Sequence, residues 1–92
     1  MKTINFDASY HALLDMLYAG DVSSPCDKIE DTPSGMTVMY SSDGTPIGVE
    51  ISQFSKRDSD DVIVDAKSPF ILKAKITLTY PHANDRKAYM QA

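Results

Sequence analysis

Several kinds of chemistry are short of raw material in this chain. Of its 92 residues only Cys26 is a cysteine. No internal disulfide can form, and without a Cys-x-x-Cys partner neither a thiol-redox pair nor a zinc site is indicated. Cys26 reads as a small, partly buried residue. Only His11 and His82 offer imidazole. No apolar run approaches the roughly 18–20 residues of a membrane-spanning helix, which argues against a membrane protein. The opening "MKTINFDASY" lacks the apolar stretch of a signal peptide, so a cytoplasmic location is expected. Internal repeats and low-complexity segments are missing as well.

What is present suits one compact domain spanning 1–92. Hydrophobic residues make up 42% and charged residues 24%, values that disfavour wholesale disorder. The net charge of −4 hides an asymmetry: residues 1–66 carry 12 acidic and 4 basic side chains, whereas 67–92 carry 1 and 5. An acidic region and a basic region on one surface are therefore expected.

Along the chain, "KTINF" alternates as a short strand, with Ile4 and Phe6 on one side. In "YHALLDMLYAG", Tyr10, Leu13, Leu14 and Leu17 fall at helical spacing, Asp7 or Ser9 could cap the start, and Gly20 could end it. The competing reading is a strand with Ala12, Leu14, Met16 and Tyr18 inward. Local propensity favours a helix over about 9–19. Residues 21–35 read as a long polar connection, with room for a short paired piece around 28–29. Met36, Val38 and Tyr40, then Ile47, Val49 and Ile51, alternate about Asp43–Gly44, a hairpin signal. Pro46 belongs at a strand start, and Gly48 suggests a bulge or a close packing partner.

Beyond the hairpin, residues 58–61 form a charged turn and 62–64 a short strand. "ILKAKITLTY" is the clearest strand, with Leu72, Ala74, Ile76, Leu78 and Tyr80 on one face and Lys73, Lys75, Thr77 and Thr79 on the other. Residues 81–92 are a polar tail with at most a final helical turn. The predicted fold is a small α+β domain. It has an antiparallel sheet of four to five strands, one contested N-terminal helix, and Ile4, Phe6, Val38, Tyr40, Val49, Ile51, Ile76 and Leu78 buried on one face.

The segments "INFD" (4–7), "HALLDML" (11–17) and "DGTPIGVEISQFSKR" (43–57) together resemble a small bacterial domain family known only as a domain of unknown function. The specific part is a tight turn followed by Gly-Val-Glu-Ile and then Ser-Lys-Arg. The resemblance spans residues 4–57 and implies a strand in the second segment. Phe54 departs from it, standing where the family has alanine. No enzymatic activity is implied.

Glu50 lies opposite Val49 and Ile51. General acid–base work would demand a carboxylate or histidine partner that the sequence does not identify. It reads instead as a solvated residue pairing with Lys56, Lys73 or Lys75. His11 and Asp15 would be helical neighbours able to share a metal, yet a site wants three or four ligands. "TPSGMT" and "SSDGT" lack the spacing of a phosphate loop and read as turns. No catalytic residue, metal or cofactor is expected.

The function expected is a small non-enzymatic binding protein that covers a larger protein or ribonucleoprotein complex. An antitoxin or a phage-borne anti-CRISPR inhibitor would act this way. Asp27, Glu30 and Asp31, with Asp58, Asp60 and Asp61, would meet basic surfaces. Lys73 and Lys75, in the basic last third, would supply a secondary nucleic-acid contact. Two alternatives are a ligand- or metal-binding domain using His11, Asp15 and Glu50, and a structural unit self-associating through "ILKAKITLTY".

Overall fold

A computed structural model describes residues 1–21, 24–57 and 61–80. About 60% of them lie in strands and 4% in a single 3₁₀ turn, Phe54–Lys56. The strands are β1 (Lys2–His11), β2 (Met16–Gly20), β3 (Lys28–Asp31), β4 (Met36–Tyr40), β5 (Pro46–Ser52), β6 (Asp61–Val64) and β7 (Phe70–Tyr80). They form one sheet in the order β3-β4-β5-β2-β1-β7-β6, curled into a half-barrel. No described helix is long and apolar enough to cross a membrane.

This corrects the α+β expectation in three respects. The helix expected over 9–19 is the β1–β2 hairpin. Tyr10 and Leu17 sit seven residues apart because they are cross-strand partners, not because they share a helical stripe. Leu13 and Leu14, the other members of that stripe, lie in the turn and are 50% and 44% exposed. Asp15, at φ 49°, closes the turn. The sheet has seven strands, since the polar stretch "KIED" pairs along its length with β4 as β3. It is also mixed: β1 and β7 run parallel.

The β4–β5 hairpin is found as expected, with Val38 opposite Val49 and Met36 opposite Ile51. Asp43 secures its turn by accepting from the Ser41 hydroxyl and from the Thr45 N–H at 3.0 Å. Those bonds hold its carboxyl down at a pKa of about 2.

The inner face carries the core. Leu17, Met36, Val38, Val49, Ile51, Val64 and Leu72 are fully buried, and Ile4, Phe6, Tyr10 and Tyr40 pack against them. Ile76 and Leu78 depart from the expected core, being 43% and 49% exposed. Ile76 keeps its inward register opposite Ala8 near the open end of β7, whereas Leu78 is turned outward by a bulge. β1 and β7 pair in register as far as Ala8 opposite Ile76, and then Ser9 meets Leu78, leaving Thr77 as the extra residue. From there Leu78 shares the outer face with Ser9. The outward lysines behave as expected: Lys73 and Lys75 are exposed, opposite Asn5 and Asp7.

Among the described residues no helix covers the inner face, and the two ends of the sheet are brought together across it. Glu30 of β3 accepts the Tyr40 hydroxyl at 3.0 Å and the Lys67 N–H at 2.7 Å. Asp65, just after β6, accepts the Ser34 N–H at 2.9 Å and the Ser34 hydroxyl at 2.6 Å. Burial and the Glu30 bond push the Tyr40 phenol up to about 12. Replacing Glu30 by Ala strands the Tyr40 hydroxyl and the Lys67 N–H, so urea unfolding should show a loss of about 1–3 kcal/mol. Asp31→Ala on the same strand, which loses one exposed hydroxyl contact from Thr37, should cost under about 0.5 kcal/mol.

Candidate functional site

The outer face of the sheet is free of core packing, and strand register dictates what it displays. One row across the strands reads Leu78, Ser9, Tyr18, Glu50, Thr37 and Asp31; beyond it Lys75 pairs with Asp7, and Gly20, Gly48, Met39 and Ile29 run on across β2, β5, β4 and β3. The paired glycines create a hollow. Gly20 has φ 126°, and a Cβ there would lie 2.3 Å from the Ile47 carbonyl oxygen and 2.5 Å from the Gly48 Cα. Only glycine allows β2 and β5 to come this close. At Gly48 an added Cβ would meet the Met39 Cε at 2.9 Å, so the methionine side chain lies over this glycine.

The result is a groove of about 360 Å³ with Tyr18, Met39 and Leu78 among its apolar walls and Asp7, Asp21 and Cys26 at its rim. Its size is that of a small-ligand or side-chain pocket. Neither the groove nor Tyr18, Met39 and Leu78 was singled out from the sequence as functional. Gly48 was the one available signal, as a glycine inside an otherwise alternating strand.

The expected site residues are scattered over this surface and beyond it. Asp27 is exposed just before β3, and Asp31 is exposed at the β3 end of the outer face. Glu30 faces inward, with both carboxylate oxygens engaged in closing the sheet. Lys73 and Lys75 stand on β7. Asp61 begins β6 opposite Lys73, and Asp58 and Asp60 lie outside the described residues.

His11, Asp15 and Glu50 do not assemble. His11 is 5% exposed on the outer side of β1, edge-on to the Tyr18 ring at 5.0 Å, with its Nε2 3.3 Å from the Ser9 Oγ. Asp15 binds toward the other side: its carboxylate accepts the Tyr10 hydroxyl at 2.7 Å, the Ser55 N–H at 2.9 Å and the Ser55 hydroxyl at 2.6 Å. It thereby fastens the β1–β2 turn to the 3₁₀ turn. Glu50 lies between Tyr18 and Thr37 in register, with β2 and β1 separating it from the β7 lysines that were expected to pair with it. Among the described residues, no three His, Cys, Asp or Glu side chains come together in a way that could hold a metal ion.

The chain matches no protein-family model, no curated protein and no solved structure.

Two predictions follow from this geometry. Gly20→Ala should destabilise the fold by more than about 2 kcal/mol, because backbone blocks the new methyl and the φ is strained. Gly48→Ala meets the movable tip of Met39 at 2.9 Å and the Ala19 carbonyl oxygen at 3.3 Å, contacts that a small shift relieves, and should cost about 1 kcal/mol. Equal losses in urea titration would refute the close-approach account.

The second prediction concerns pH. Burial lowers the His11 pKa, so the unfolded chain takes up its proton first, and stability should decline as pH falls below about 6.5. Hydrogen bonds from Ser55 and Tyr10 lower Asp15, and bonds from Ser34 lower Asp65. Their contributions are complete above about pH 4 and disappear as pH drops through the folded values. Unfolding midpoints measured from pH 8 to pH 2 should show both declines, and His11→Gln should flatten only the upper one.

Proposed function

We propose that the protein is a small non-enzymatic binding protein of the cytoplasm that covers and neutralises a larger partner. An antitoxin, or a phage-borne anti-CRISPR acting on a ribonucleoprotein, works in this way. The observation that carries the reading is the outer sheet face, where an apolar groove adjoins both signs of charge. Leu78 is 49% exposed beside the groove. Lys75 stands opposite Asp7 of the groove rim, with exposed Lys73 on the same strand. Asp31 and Asp27 lie toward the far edge. A central apolar anchor within a charged rim is the anatomy of a protein interface. The rim charges speed and orient encounter. Lys73 and Lys75 would make the secondary contact to nucleic acid in a ribonucleoprotein partner. The resemblance of residues 4–57 to a bacterial domain family adds no activity to this reading.

One observation favours self-association as a second reading. Among the described residues β6 pairs only with 70–73 of β7, so the remainder of β7 is paired on the β1 side alone. The bulge at Thr77 and the neighbouring Lys75 guard that edge against indiscriminate pairing.

Affinity capture from the host lysate tests the two readings together. The expected result is one partner retained in stoichiometric amount at low salt, depleted at high salt, and lost with Leu78→Asp or with the Lys73→Glu, Lys75→Glu double substitution. A protein that returns alone at every salt concentration, and sediments as a dimer, would overturn the partner-covering function in favour of self-association.

A further inference from the structure

The sheet has a second concavity, on the inner face where its two ends meet. A cavity of about 410 Å³ opens there, between the start of β1, the start of β3 and the loop from β6 to β7. Its apolar floor includes Ile4 and Phe70, and the Tyr40 ring forms part of the wall. Three lysines, Lys2, Lys28 and Lys67, are among its lining residues, and all three are exposed. Strand parity makes two of them notable. Lys2 pairs with Phe70, which is 2% exposed, and Lys28 pairs with Tyr40, so both occupy inward-facing positions of their strands. The ordinary occupant of such a position is apolar.

The acids do not offset these lysines equally. Among the described residues, Glu30 is the one carboxylate lining this mouth, and its two oxygens are already bonded to the Tyr40 hydroxyl and the Lys67 N–H. Three cations thus face one hydrogen-bonded anion at the rim of an apolar hollow. In a chain with a net charge of −4, three of the seven described lysines and arginines gather at this one opening.

We propose that this mouth is a binding site for a small organic anion: a carboxylate held at the lysine rim, with a short apolar body lying on Ile4 and Phe70. The cavity lies within the size range of small-molecule sites, and barrel mouths are a common place for them. Its charge rejects cations, and its floor gives a purely inorganic anion little to bind. The site is separate from the outer-face groove and does not depend on the partner-covering function.

Octanoate is a suitable probe, since it stays monomeric at millimolar concentration. Titrated into the full chain at fixed ionic strength, it should shift the amide NMR signals of Ile4, Tyr40, Lys67 and Phe70 along one saturable curve. Octylammonium, of the same length and opposite charge, should leave them unmoved, and acetate should need far higher concentrations. Lys28→Gln with Lys67→Gln removes two rim charges without touching Glu30 and should weaken octanoate about tenfold. The proposal is overturned if octylammonium saturates the same signals, if octanoate shifts Tyr18 and Leu78 of the outer groove instead, or if the double substitution leaves its affinity unchanged.

Discussion

Among the described residues no helix lies on the sheet, which buries its apolar face by curling until its own ends are bonded to each other. That constraint organises this molecule. The edge strands β3 and β6 have four residues each, too little for a long ladder across the gap. The ends are joined instead by carboxylates that accept backbone N–H groups: Glu30 from Lys67 and Asp65 from Ser34. Asp15 performs the same task for Ser55 at the β1–β2 turn, and Asp43 for Thr45 within its hairpin. Each bond satisfies a backbone donor that no strand partner reaches, and each is stronger for involving an ionised acceptor.

Much of the acidic excess is therefore structural. A charge count treats Asp15, Glu30, Asp43 and Asp65 as surface available to a partner, whereas in the fold they are fasteners. The acids left facing outward include Asp27 and Asp31. Asp15, Asp43 and Asp65 accept these bonds more strongly when ionised, so the bonds hold all three below the ordinary carboxylate range and make the fold depend on pH through them.

The parts of this fold that could be read from sequence are those governed by short-range rules. The β4–β5 hairpin shows because Asp43–Gly44 sits between two clean alternations. The outward placement of Lys73 and Lys75 shows because β7 keeps period two as far as Ile76. Where a long-range partner decides the outcome, local reading fails. Tyr10 and Leu17 mimic a helical stripe, since seven residues is two helical turns and also the span of this hairpin. β3 shows only as a short paired piece around 28–29, because "KIED" has one apolar residue and is held by its ladder to β4. The bulge at Thr77 arises from register with β1, some 69 positions away in sequence, so nothing near Leu78 announces that its side chain will turn outward. The outer groove is legible only as Gly48, since the close approach at Gly20 exists only once β2 has paired with β5.

The lysine mouth shows the same limit from the other direction. Lys2, Lys28 and Lys67 come from three remote segments, and each looks like an unremarkable solvated charge in its local context. What distinguishes two of them is parity: Lys2 shares its strand face with Ile4, and Lys28 shares its face with Glu30. An inward lysine must either reach out to water along its flexible stem or find an anion. Here the one carboxylate among the described residues lining the opening is already bonded in closing the sheet. Closure thus does two things with a single residue, sealing the core through Glu30 and leaving the surrounding ammonium groups without that carboxylate's full capacity to bind them. The charge of the opening is set by which acids the backbone has claimed, and for that reason it carries the opposite sign to the chain as a whole.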